Sequence, residues 1–222
     1  MFIELPPDDN LIIMRQTDTL ADILINRSNT HTFLLCCGVG GSLLFTFVYF
    51  AYGAIAPDYN MMRQSIGDLQ LLGDGWIQSA NFIVFAFFNF AFAEGLRREM
   101  VNGFGTTLIP LSMLATSVGL VLLGMFAYDP AHTLAGCIAL LSVVCSCLLM
   151  SLRFTGDERW KGWSAYTMAT AIFMGIFFIM YAYSRYHGSN YAGIYERLGV
   201  VTRLVWTFVL TIRLLDGRRM MQ

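Results

Sequence analysis

Eight residues in the polar stretches of this 222-residue chain carry groups that acid–base or metal chemistry uses. Ser65, Asp68 and Asp74 follow the first long apolar tract, Asp129 and His132 the third, and Tyr186, His187 and Glu196 the fifth. Carboxylates beside two histidines can bind zinc and activate water, or act as acid and base on a lipid headgroup. Asp68, Asp129, His132 and His187 are the candidates for such a hydrolysis. Capping and solvation are the plainer roles, with Asp129 ending one helix or capping the next. No HExxH or paired HxxxH is present, so neither a metal site nor a catalytic residue is assigned.

The elements that must position these groups are set by hydropathy. The chain is 56% hydrophobic and 13% charged, where soluble domains carry about a quarter charged residues. A bilayer core of about 30 Å needs roughly twenty apolar helical residues. Six tracts meet that length: Thr32–Ala56, Trp76–Leu96, Thr106–Tyr128, Thr133–Leu152, Ser164–Tyr183 and Leu198–Leu215. They are continuous rather than alternating, and lipid leaves no backbone group unpaired, so they read as helices. The stretch from Thr106 to Leu152 is too long for one span and folds back at Asp129-Pro130, where proline removes a donor.

The expectation is an all-α, polytopic bundle of six membrane helices (residues 32–215), with tails at 1–31 and 216–222. Arginine and lysine concentrate on the side of Arg97, Arg98, Arg153, Arg159, Lys161, Arg213, Arg218 and Arg219, which places both termini inside. The three polar stretches then lie together outside. The expected location is the plasma membrane, in a bacterium the inner one. In the acidic N-terminal tail, Leu20, Ile23 and Leu24 behind Thr17-Asp18-Thr19 predict a short capped helix on the membrane surface or a partner. A net charge of −1 argues against a nucleic-acid partner, which would normally demand a basic face. Five cysteines fall inside apolar tracts, which suits packing rather than a disulfide framework.

Within the spans, "NFIVFAFFNFAFAEG" puts Asn81, Phe85, Phe88, Asn89 and Phe92 on one helical face. Amides in hydrocarbon point inward to a partner; lipid-facing aromatics explain the remaining rings better than a cofactor slot, and no cofactor is implied. In "CCGVGGS", Gly38, Gly41 and Ser42 form a small-residue face for close packing, inside the chain or on a partner membrane protein. Arg203 stands four to five residues inside the sixth tract. A charge at a span centre costs about 2.5–3.5 kcal/mol, so Arg203 is expected to snorkel to the outer boundary, or else to pair with Glu196 or Asp129. No ionisable residue is expected at mid-depth, which counts against an ion-coupled transporter.

Four segments, "QSIGDLQLLGDGW", "GMFAYDPAHTLAG", "DERWKGWSAY" and "GIYERLGVVTRLVW", resemble in order the membrane proteins of domain of unknown function family 998. Ser65, Gly67, Trp76, Gly124, Asp129, Pro130, Gly136, Trp160, Gly193, Glu196, Arg197 and Trp206 carry the resemblance. It covers nearly all of the chain after Thr32 and implies a six-helix bundle without an established activity. Members often place a histidine just after the glycine that opens helix 4; Gly136-Cys137-Ile138 has none.

Three functional readings follow. The first is a non-catalytic subunit or scaffold that meets partners through Gly38, Gly41, Ser42 and the N-terminal tail. The second is a lipid or small-molecule binder or carrier, with a pocket under the outer loops near Asn81 and Trp76. The third is the metal-assisted lipid hydrolase.

Overall fold

The structure is a computed structural model that describes residues 7–100, 102–128 and 130–219, with side chains from 29 to 216. Among the described residues there are six α-helices and no strand: α1 (Pro7–Ile55), α2 (Trp76–Glu99), α3 (Leu108–Met125), α4 (Ala131–Thr155), α5 (Trp163–Tyr186) and α6 (Ala192–Arg219). Six segments of these helices are long and apolar enough to cross a membrane, from Asn29–Ile55 in α1 to Ala192–Asp216 in α6. The chain is thus a multi-pass membrane protein. The backbone of the tail is helical from Pro7 and runs unbroken into the first span, with no break at Thr17-Asp18-Thr19.

Each helix packs on its neighbours in the chain, and α6 returns to α1, closing a ring. Small residues permit the close approaches. A Cβ on Gly38 or Gly41 would meet the ring of Phe92 or the side chain of Phe88 at 2.6 and 2.3 Å, so α2 fills that face of α1. A Cβ on Gly119 would lie 2.5 Å from the backbone nitrogen of Ala139, which brings α3 and α4 almost backbone to backbone. Phe87 and Phe90 of α2 point outward while Asn81, Phe85, Asn89 and Phe92 are buried, as the helical spacing predicts.

One end of the ring holds the connections of residues 56–75, 126–130 and 187–191; the other holds the turns at 100–107 and 156–162, the charged turns, named for Arg97 and Arg98 just before the first and Asp157, Glu158, Arg159 and Lys161 within the second. Arginines fasten the charged turns. Arg153 donates to the carbonyls of Phe104 and Asn102 at 2.6 and 2.7 Å, and Arg213 to that of Arg159 at 3.0 Å. Trp160 stacks on Phe154 with ring centroids 4.3 Å apart.

The interior divides into two apolar clusters. Leu35, Phe92, Met113, Met150, Met174, Trp206 and Leu210 pack at the charged-turn half. Phe45, Tyr49, Ile66, Leu69, Phe82, Phe85, Leu120 and Leu204 pack at the loop half. Asn89 lies in the chain between Phe85 and Phe92, and Arg203 borders Leu204, so a polar layer falls where the clusters meet.

Candidate functional site

The site is built from the first connecting segment downward. Residues 65–70 are all buried, so this stretch enters the bundle instead of standing in water. Ser65 and Asp68 exchange bonds: the Ser65 N–H donates to Asp68 Oδ2 at 2.7 Å, and the Asp68 N–H to Ser65 Oγ at 3.1 Å. This reciprocal box opens the 3-10 turn Gly67–Leu71. Gln70 then reaches across to Ser79 Oγ at 2.8 Å and the Leu123 carbonyl at 2.9 Å.

Charged side chains of α5 and α6 hold this segment in place. Arg185 grips Asp68 through two parallel bonds of 2.9 Å each, the fork geometry that suits a carboxylate. Glu196 Oε2 accepts the Ile66 N–H at 2.6 Å. Arg197 donates to the carbonyls of Met61 and Gln64 at 2.7 and 3.0 Å, and to the Tyr59 hydroxyl at 2.5 Å. Tyr59 in turn donates to the Ser65 carbonyl at 2.6 Å; burial pushes its phenol up to about 12, the nearby Arg197 offsetting only part of that. Gly193 makes room, since a Cβ there would sit 2.3 Å from the Gln64 carbonyl oxygen.

Beneath this cover lies a cavity of about 440 Å³ bounded by all six helices. Its walls are largely apolar, with Phe45, Phe82, Phe85, Leu140, Val143 and Met174 among them. Asp68, His132, Tyr181, Arg185, Glu196 and Arg203 contribute the polar groups. Toward the loop end, Thr133, Arg185 and Tyr186 are exposed, and Tyr186 is 87% exposed. That end forms the mouth.

Arg203 differs from expectation. It turns inward, donating from Nη2 to Asn89 Oδ1, with its guanidinium carbon 5.0 Å above the Phe85 ring. The sequence places the start of the sixth span at Leu198; α6 begins at Ala192, which makes Arg203 the twelfth of the 25 residues from Ala192 to Asp216. An ionisable residue therefore does stand at mid-span. Glu196 and Arg197 do not mark a helix end, because both find partners within the protein. Asn89, whose amide also donates to the Met113 carbonyl at 2.9 Å and Ser117 Oγ at 2.8 Å, fixes the acceptor that holds Arg203. Asn81 likewise finds an interhelical partner, the Phe45 carbonyl at 3.1 Å.

Of the other polar candidates, His132 lines the cavity, its Nδ1 2.8 Å from the Phe126 carbonyl. His187 lies elsewhere, its Nδ1 on the Tyr183 carbonyl at 2.9 Å and its ring against Tyr183 and Tyr186. Asp74 is exposed, and Asp129 lies outside the described residues. Among the described residues no three of His, Cys, Asp and Glu converge to hold a metal ion. The cavity also departs from the place expected for it: its wall includes neither Asn81 nor Trp76, and Trp76 is 69% exposed. Arg185 and Tyr181 also line the cavity, although neither residue's type nor its spacing marks it as a site residue. The Ser-x-x-Asp spacing of Ser65 and Asp68 was the available signal for the box.

No curated protein and no solved structure matches the chain. A family model described as protein of unknown function (DUF998) matches residues 39–213. That range takes in the four middle spans, most of the first and the last, and each of the residues that build the cavity and its cover, and the chain belongs to the DUF998 family.

Proposed function

We propose that this protein binds a small amphiphilic molecule within the ring of helices, entering from the loop end. The observation that carries this reading is the 440 Å³ cavity, apolar along its walls and polar at its mouth and floor. Ligand sites are typically concavities of this size, mostly apolar, with a few polar groups that fix orientation. The cover supports the same reading, because Arg185, Glu196 and Arg197 hold residues 59–68 over the cavity without filling it. Hydrolysis draws less support: Asp68 is engaged by Arg185, and His187 does not line the cavity with His132. A scaffold role also draws less, since α2 already occupies Gly38 and Gly41.

Gly136 provides the test. It lines the cavity, and a Cβ there meets nothing closer than Leu123 at 3.9 Å. Gly136→Leu adds a branched side chain to the wall without a backbone clash. Purified in mild detergent, the wild-type chain is expected to carry a small amphiphile detectable by mass spectrometry of the bound fraction. The variant is expected to lose it while keeping its thermal midpoint within a few degrees. Equal recovery of bound molecules from both proteins rules the cavity out as the site.

A further inference from the structure

We propose that the molecule held in the cavity is an acid, whose anionic group seats on Arg203 at mid-span while its apolar body lies along the phenylalanine-lined wall. This rests on the cavity being a binding site and adds what it selects.

A guanidinium in the middle of a bundle needs a counter-charge, because burying an ion is tolerated only where it is paired. Among the described residues no carboxylate lies within ion-pair distance of Arg203. Its hydrogen-bond acceptor is the neutral amide of Asn89, and its guanidinium carbon lies over the Phe85 ring, 5.0 Å from the centroid. Neither of the two acids that line the cavity forms an ion pair with Arg203. Asp68 is neutralised by Arg185 through both oxygens. Glu196 accepts from the Ile66 N–H and stands seven positions earlier on α6, about 10 Å along the axis at 1.5 Å per residue. The cavity therefore carries an unmatched cation at its floor. The guanidinium also offers more N–H donors than Asn89 consumes, in a planar fork that fits a carboxylate or a phosphate. Phe45, Phe82 and Phe85 cluster on the adjacent wall, Phe45 and Phe85 stacked at 4.6 Å. A charged head with an apolar body matches both.

The full-length protein in nanodiscs of zwitterionic lipid is exposed to three photoreactive medium-chain probes that differ only in the head: a carboxylic acid, a phosphate monoester and an uncharged alcohol. Crosslinks are mapped by mass spectrometry. Labelling of cavity residues such as Val143 and Met174 is expected to be at least fivefold stronger with one or both acidic probes than with the alcohol. Preference for the carboxylate or the phosphate identifies the head group, and either supports the proposal. Arg203→Gln is expected to bring the acids down to the level of the alcohol, and Arg203→Lys to keep most of the preference. Asn89→Asp provides an independent check, since it retains an acceptor for Arg203 but supplies an internal counter-charge; it too is expected to abolish the preference. Alcohol labelling that persists in these variants shows that the cavity is intact. Equal labelling by acids and alcohol in the wild type, or a preference unchanged in both Arg203→Gln and Asn89→Asp, overturns the proposal while leaving the binding site standing. Absence of cavity labelling by all three probes overturns the binding site itself, and this proposal with it.

Discussion

At the scale of single residues, Gly67 stands where another group must come close. A Cβ on Gly67 would lie 2.3 Å from Nε2 of His132. Gly67→Ala is therefore expected to destabilise the protein by about 1–3 kcal/mol, the usual cost of overpacking, read as a lowered thermal midpoint. The obstructing atoms belong to a side chain, so His132→Ala added to Gly67→Ala is expected to recover most of the loss. Recovery of nothing by the double variant excludes this contact as the cause. Asn89 is the other residue on which much depends, with bonds to α3 and to Arg203 of α6. Its burial was legible from spacing along α2. The identity of its partner was not, because Arg203 and Asn89 are 114 positions apart and nothing local in the sequence couples them.

At the scale of elements, two kinds of contact hold the bundle. Helix packing is governed by backbone approach: a Cβ on Gly119 would lie 2.5 Å from the nitrogen and 2.8 Å from the Cα of Ala139. Gly119→Ala is expected to cost about 1–3 kcal/mol by forcing α3 and α4 apart. Ala139→Gly is not expected to rescue it, since the nearest atoms are main chain. The first connecting segment depends instead on charged side chains that act on backbone groups. Arg197→Ala leaves the Met61 and Gln64 carbonyls without this donor, at a cost of about 3 kcal/mol given the strength of charged hydrogen bonds. Protease cleavage and amide exchange within 57–75 are expected to rise, with the spans protected as before. Unchanged protection in that segment rules out the clamp. The six spans and the fold-back at Pro130 were legible because length, apolarity and proline act locally. The clamp was not, because a charged pair such as Glu196-Arg197 reads as a solvent-facing end until its distant partners are known.

At the scale of the whole molecule, apolar tract lengths foretold a six-helix bundle, and the alternation of turns foretold that the polar connections at one end would gather. Hydropathy alone does not show that the bundle is unequal along its axis. The loop half encloses the cavity, whereas the charged-turn half is packed with Phe92, Met113, Met150, Trp206 and Leu210, each almost without exposure. Both halves are helical and apolar, so their compositions look alike. The difference arises from where large side chains meet: Trp206, bonded to Thr167 Oγ1 at 3.2 Å, fills the ring below Arg203, while smaller Gly136, Ala139 and Gly199 line it above.

The solid packing around Trp206 plugs the ring below Arg203, so the cavity does not continue into the charged-turn half. A molecule bound as proposed has no way past Trp206, which has no exposed surface, unless that side chain is first swung aside. On the proposed reading, loading and emptying therefore take place on the cavity side of that plug and never through the charged-turn half.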